Sequence, residues 1–108
     1  MDWPGILRRC FEEDRVLYSG HARREMREED FGPISDQETD EAVASADVIE
    51  EYPDDTPYPS VLILGRTASD RPLHLVCAYD EGEDTAIVVT VYQPDPRRWD
   101  ETYRRRRS

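Results

Sequence analysis

The sequence RPLHLVCAYDEGEDTAIVVTVYQ, residues 71–93, decides the fold of this chain. Its two apolar runs are separated by the polar residues DEGEDT, and Gly82 in that loop suits a tight chain reversal. Side chains alternate between the two faces of a strand, so Leu73 and Leu75 point one way and His74 the other. The stretch therefore predicts a central β-hairpin with one apolar face and one face that carries a histidine.

The segments ahead of the hairpin predict further strands and three helices. SVLILGRT, residues 60–67, has the apolar character of a central strand, and residues 47–52 are extended before a proline-rich loop. The three predicted helices are PGILRRCFEED with Asp2 as its cap, GHARREMREED with Ser19 as its cap, and one that begins with a capping box of Ser35 and Glu38.

After the hairpin, Asp95 and Pro96 fit the start of a short C-terminal helix, in which Trp99 and Tyr103 share one side. We predict a single α+β domain over residues 1–108, with N-terminal helices packed on a three- to four-stranded antiparallel sheet and this short helix at the end. Residues 1–17 supply the N-terminal helix, and residues 104–108 form a basic tail.

Composition narrows the class of protein. The net charge is −11, and all 14 basic residues are arginines, since the chain has no lysine. An acidic surface disfavours contact with bulk nucleic acid, although high salt screens the repulsion and weakens that objection.

No apolar run approaches the ~20 residues of a membrane span, and the N-terminus lacks the apolar core of a signal peptide, so we expect a cytoplasmic protein. Cys10 and Cys77 have no metal-like spacing and are expected as buried thiols.

The histidine-bearing face of the hairpin is the candidate site. If His74 lies opposite Tyr92, then Thr90 joins them on one face, whereas a register shifted by one residue sets His74 against Val91. RNA cleavage without a metal needs a base, an acid and a cation for the phosphate. His74 and His21 could be the acid and base, Tyr92 and Thr90 could orient the substrate, and Arg66 or Arg24 could hold the phosphate.

A structural interpretation of the same residues stays open. A lone histidine in a strand is often a hydrogen-bonded structural residue, His21 could be a solvent-facing residue of the first helical turn, and tyrosine and threonine favour strands by propensity alone. The carboxylates at Asp54 and Asp55 and in the DEGED loop lack the spacing of a calcium site, so we predict no metal and no cofactor.

Four stretches of the chain resemble a known family: YSGHARREM, VIEEYPDDTPYPSVLILGRT, RPLHLVCAYD and IVVTVYQPDPRRWDETYRRRR. They are similar to short bacterial and archaeal domains of unknown function, over about residues 18–107, with PLHLV and TVYQPDPRRW as the most specific parts. That family is grouped with the RelE/barnase-like ribonuclease toxins, and its members often neighbour a YgiT-type zinc-finger antitoxin. The resemblance implies a family core at residues 18–103, an α+β fold, and His21 and His74 as motif positions. In one departure, Glu25 precedes Met26 where the family has an arginine.

Two functional hypotheses follow. The first is a toxin-like, metal-independent endoribonuclease of a toxin–antitoxin pair, with an RNA substrate and a small zinc-finger antitoxin as partners. The second is a non-catalytic protein-interaction domain of the same fold, which the net charge and Glu25 favour. We also consider a homodimer, and expect no contact with a membrane.

Overall fold

The computed structural model describes residues 1–108 and centres on one open sheet of five strands. The strands are β1 (Val16–Tyr18), β2 (Asp47–Tyr52), β3 (Ser60–Arg66), β4 (Pro72–Asp80) and β5 (Thr85–Tyr92), and the helices are α1 (Trp3–Glu12), α2 (Gly20–Glu28) and α3 (Asp36–Ala44). Across the sheet the order is β1-β5-β4-β3-β2. The predicted α+β class is confirmed.

The sheet is larger than predicted, with five strands instead of three or four, and it is not wholly antiparallel. β1 runs parallel to β5, with Leu17 opposite Ile87, while every other pair is antiparallel. Parallel strands need a long connection between them, and here that connection is most of the domain. A strand of three residues also leaves almost no alternating pattern in the sequence.

All three helices begin at the predicted caps. The side chain of Asp2 accepts a hydrogen bond from the Gly5 N–H (3.2 Å), and that of Ser19 accepts one from the Ala22 N–H (3.0 Å). The capping box of α3 is formed in both directions between Ser35 and Glu38. These contacts satisfy N–H groups that a helix leaves unpaired at its start.

The helices cover one face of the sheet and form the core with it. Seventeen buried apolar residues make a single cluster there, including Leu7 and Cys10 from α1, Ile63 from β3, and Leu75 and Cys77 from β4. Both cysteines are free and buried. None of the helices has the length and apolar character needed to cross a membrane.

The predicted C-terminal helix does not form. The Trp99 N–H donates to the Asp95 carbonyl (3.0 Å), but the Asp100 carboxylate then accepts from the N–H groups of Thr102 and Arg104, and the chain reverses. Trp99 pairs with Arg106 in an antiparallel bridge, so the segment folds back on itself. An aspartate that bonds nearby backbone groups competes with helix formation, and here it prevails.

Two glutamates, Glu25 of α2 and Glu29 directly after this helix, bind the edge of β5 beyond the short β1. Glu25 accepts a hydrogen bond from the Val91 N–H (3.1 Å), and Glu29 accepts one from the Gln93 N–H (2.6 Å). An unpaired strand edge is open to other chains, so these carboxylates both satisfy and block it. Glu25, which departs from the family pattern, therefore has a structural role.

Replacing Glu29 with alanine is expected to open this edge locally. The Gln93 N–H loses a charged acceptor worth about 1.5–3 kcal/mol, so its amide hydrogen exchange should rise about tenfold or more. Exchange followed by NMR measures this at single-residue resolution. Glu28→Ala removes an exposed carboxylate from the same helix turn and should leave the Gln93 rate unchanged; equal rates in both variants would contradict the role given to Glu29.

Candidate functional site

The hairpin has the register that gathers the candidate residues. His74 lies opposite Tyr92, and Val76 lies opposite Thr90, so His74, Tyr92 and Thr90 share a face. A β-bulge follows directly: Cys77 pairs with Val88, so Val89 on β5 has no partner on β4. These side chains lie on the sheet face away from the helices, called the second face below.

His74 is fully buried on that face, with a relative exposure of 0%. Residues 94–108, the C-terminal segment, cover it. The Trp99 ring lies edge-on to the imidazole with centroids 4.4 Å apart, and the Tyr92 ring lies at 5.2 Å. Trp99 is itself only 6% exposed, so the imidazole has no open path to solvent.

Both ring nitrogens of His74 are hydrogen-bonded, and the partners fix its tautomer. Nε2 lies 2.8 Å from the carbonyl oxygen of Tyr103, which can only accept, so Nε2 carries the proton. Nδ1 lies 3.0 Å from the Tyr92 hydroxyl and accepts from it. Burial raises the pKa of Tyr92 to about 12, which keeps that hydroxyl protonated and able to donate.

Burial also lowers the pKa of His74 from 6.5 to about 4, because the charged imidazolium would lose its hydration. The hydrogen bond to the Tyr103 carbonyl acts in the opposite direction but is the smaller effect. His74 is thus neutral near pH 7 and links three parts of the chain: β4, β5 and the C-terminal segment.

This shift predicts a pH dependence of stability. The folded pKa of His74 lies below the unfolded value, so below pH 6.5 the unfolded chain takes up a proton that the folded chain refuses until about pH 4. The free energy of unfolding should therefore fall by about 2 kcal/mol between about pH 7 and pH 5 through this group alone. Urea unfolding across that range measures it. His74→Gln has no titrating group at this position, so its free energy of unfolding should fall less over the same pH range, by the amount given above. An identical fall in the two proteins would refute the lowered pKa of His74.

The other predicted residues are not brought to this pair. The His21 side chain is 62% exposed, and its Nε2 lies 3.3 Å from Oε1 of Glu25. No hydrogen bond or ion pair connects it to His74. Arg24 is exposed on α2 without an ion pair, and Arg66 lies at the end of β3, 3.4 Å from the Asp70 carboxylate.

A cleft that the sequence interpretation missed lies beside Tyr92 and Trp99. It has a volume of about 730 Å³ and is called the C-terminal cleft. Its lining residues that carry charge or an aromatic ring are Arg97, Arg98, Arg106, Arg107, Phe31, Tyr92, Trp99, Glu29, Asp30 and Asp95. Four arginines thus outnumber three carboxylates in a protein whose net charge is −11. The sequence signals for the cleft were PRRW and RRRR, but such runs are equally typical of solvent-exposed segments.

Three of these arginines already have partners. Arg97 pairs with Asp95 (2.8 Å), Arg107 donates through Nε to the Pro96 carbonyl (2.8 Å), and Arg106 lies over the Trp99 ring at 4.8 Å. The guanidinium of Arg98 makes neither a hydrogen bond nor an ion pair. It is the group in the cleft that is most open to an incoming anion.

An acidic hollow separates the C-terminal cleft from His21. Glu25, Glu28, Glu29 and Asp30 line it together with Val91 and Tyr92, in a volume of about 250 Å³. A phosphate that moved from the cleft towards His21 would meet four carboxylates, which repel it. The acidic hollow thus lies between His21 and the arginines of the C-terminal cleft.

The titratable residues form no apparent metal site. No group of three or more histidine, cysteine, aspartate or glutamate side chains is placed to hold an ion.

One family model matches the chain over residues 18–93, the stretch from β1 to the end of the hairpin, and its description is a domain of unknown function. Neither a curated protein nor a solved structure matches. The matched region contains His21, His74 and Tyr92 but stops before the C-terminal segment that covers His74. Because the match spans well over half of the chain, the protein belongs to the DUF4258 family.

Proposed function

We propose that the domain is a non-catalytic protein-interaction domain in which His74 is a structural residue. The observation that carries this proposal is the state of His74: fully buried, neutral near pH 7, and hydrogen-bonded at both ring nitrogens. A general acid or base must reach the proton that it transfers, and it works best with a pKa near the working pH. His74 meets neither requirement while the C-terminal segment is in place.

His21 does not replace it. It is accessible, but a catalytic pair needs a second acid–base group, and the side chain that His21 contacts is Glu25, which also lines the acidic hollow. Tyr92 uses its hydroxyl to bond His74. The two histidines of the chain therefore act separately, one as part of the packing and one at the surface.

The test is to incubate the purified protein with single-stranded RNA at low and at high salt, and to express it in a bacterial host. The proposal expects intact RNA and unchanged growth. His21→Ala keeps the folded structure because His21 is exposed, so RNA cleavage by the wild type that this variant loses would overturn the proposal.

A second candidate is the toxin-like endoribonuclease of a toxin–antitoxin pair, with a zinc-finger antitoxin as partner. The C-terminal cleft favours it, because arginines interleaved with aromatic rings suit the phosphates and bases of single-stranded RNA. Arg98→Glu tests this candidate, with Arg8→Glu as a matched control: Arg8 is exposed on α1, outside the cleft, and the charge change is the same. If RNA binds in the cleft, Arg98→Glu should weaken binding of a labelled RNA about tenfold while Arg8→Glu leaves it nearly unchanged.

A further inference from the structure

Only half of the second face is covered by the protein itself. At the His74 end, the C-terminal segment buries His74 under Trp99, and Leu64, which lies opposite His74 on β3, is buried as well. At the other end, the loop before β3 borders the sheet, Ser60, Leu62 and Ala78 are buried, and a groove of about 270 Å³ remains. Its apolar floor and wall are formed by Pro57, Tyr58, Val76, Ala78, Ile87 and Val89.

Leu17 extends this apolar surface to the edge of the sheet. It lies directly opposite Ile87 in the parallel β1–β5 pair, so the two side chains share the second face. Leu17 is 63% exposed, one of three large apolar side chains in the chain that are exposed to this degree. Exposed Leu17, half-buried Val76, Ile87 and Val89, and buried Ala78 thus lie on one face across β1, β5 and β4; they are called the apolar strip.

Carboxylates predominate around the apolar strip, although Arg15, two residues before Leu17, brings one basic side chain to its β1 end. Asp55 lines the groove beside Asp54 in the loop before β3, and Asp80, Glu81 and Glu83 lie at the turn between β4 and β5. A backbone hydrogen bond from the Tyr79 N–H to the Pro59 carbonyl (3.2 Å) holds this turn next to that loop. No arginine lines the groove.

An apolar floor with an acidic rim selects its occupant by charge. A segment with apolar anchors and flanking lysines or arginines would bury the strip and approach the carboxylates favourably. A second copy of this chain fits poorly, because it also carries −11 and would set carboxylates against carboxylates. RNA fits poorly for the same reason.

We propose that the apolar strip binds a cationic, apolar-anchored segment of another protein. This inference rests on the proposed interaction function and names the surface and the chemistry of its partner. Leu17 and Val89 anchor the segment, and the carboxylates of the two loops orient it.

The experiment uses a fluorescent peptide of about 16 residues with leucines along one helical face and lysines elsewhere, followed by anisotropy with the full chain. At about 0.1 M salt the wild type should bind it, and Leu17→Glu should weaken binding about tenfold or more. Leu17→Glu adds a negative charge, which would strengthen binding of the lysine-rich peptide if the attraction were purely electrostatic. Weaker binding by this variant therefore indicates apolar contact with Leu17. Val89→Thr keeps strand propensity and should also weaken binding.

Phe31→Glu is the matched control, since Phe31 is another exposed apolar residue (47%) and lies outside the strip. It should bind within about twofold of the wild type, because it adds the same charge as Leu17→Glu but leaves the apolar strip unchanged. Three results would overturn the proposal: no binding by the wild type, equal binding by the wild type and Leu17→Glu, or equal binding of a peptide with glutamates in place of lysines. A concentration-dependent dimer that Leu17→Glu dissociates would overturn it as well, by assigning the strip to a second copy.

Failure of this inference and failure of the proposed function give different results. If the peptide fails to bind and RNA stays intact, the partner assignment is wrong and the interaction function stands. If RNA is cleaved in a way that His21→Ala abolishes, the interaction function is wrong whatever the peptide does.

Discussion

His74→Ala is expected to lower the free energy of unfolding by about 3–4 kcal/mol. The substitution removes a fully buried ring and leaves the Tyr92 hydroxyl and the Tyr103 carbonyl without their partner. It also takes away the surface on which Trp99 packs, so the C-terminal segment should loosen. Near pH 7.5 the His74 ring of the wild type is neutral in both the folded and the unfolded chain. Urea unfolding at this pH therefore measures the loss without a contribution from protonation.

His21→Ala is the control for this prediction, because it removes the same side chain from an exposed position. Its effect should stay within about 0.5 kcal/mol of the wild type. The contrast between the two histidines is the point of the experiment. Two variants of equal stability would mean that His74 does not hold the C-terminal segment.

Gly65→Ala is expected to destabilise the fold by about 2–4 kcal/mol. α3 crosses β3 so closely at this point that an added Cβ would lie 1.9 Å from the carbonyl oxygen of Ala42. The obstacle is backbone, which cannot rotate aside as a side chain can, so the whole helix must shift. Thermal or urea unfolding measures the loss.

Gly20→Ala provides the matched control. A Cβ on Gly20 meets nothing within 4 Å, and the residue begins α2. Alanine there reduces the freedom of the unfolded chain and should be neutral or stabilising by up to about 1 kcal/mol. A Gly65→Ala variant as stable as Gly20→Ala would show that α3 does not pack against β3 in this way.

Local sequence signals predicted much of the fold. The hairpin, the strand ahead of it and the three helix starts depend on alternation, turn residues and capping side chains, all of which act over a few residues. The pairing of β1 with β5 was not predicted, because three residues hold little pattern and their partner lies some seventy residues later. The prediction of a C-terminal helix was wrong because the spacing of Trp99 and Tyr103 also fits a chain that reverses at Asp100.

For the candidate site too, some features could be predicted from the sequence and others could not. Alternation placed His74, Thr90 and Tyr92 on one face, and the structure has the register that this required. The burial of His74 could not be predicted, since it depends on the C-terminal segment returning over the sheet. The four arginines of the C-terminal cleft were missed for the same reason: Arg106 and Arg107 reach it only through that reversal.

The central claim is that His74 is a sealed structural residue and not an acid–base group. Long-range ¹H–¹⁵N NMR of the imidazole nitrogens, followed from about pH 8 to pH 5, tests it most directly. The account predicts a neutral ring protonated at Nε2, with a pKa of about 4 and therefore little titration above pH 5. A His74 that titrates near 6.5, or that carries its neutral proton on Nδ1, would contradict it.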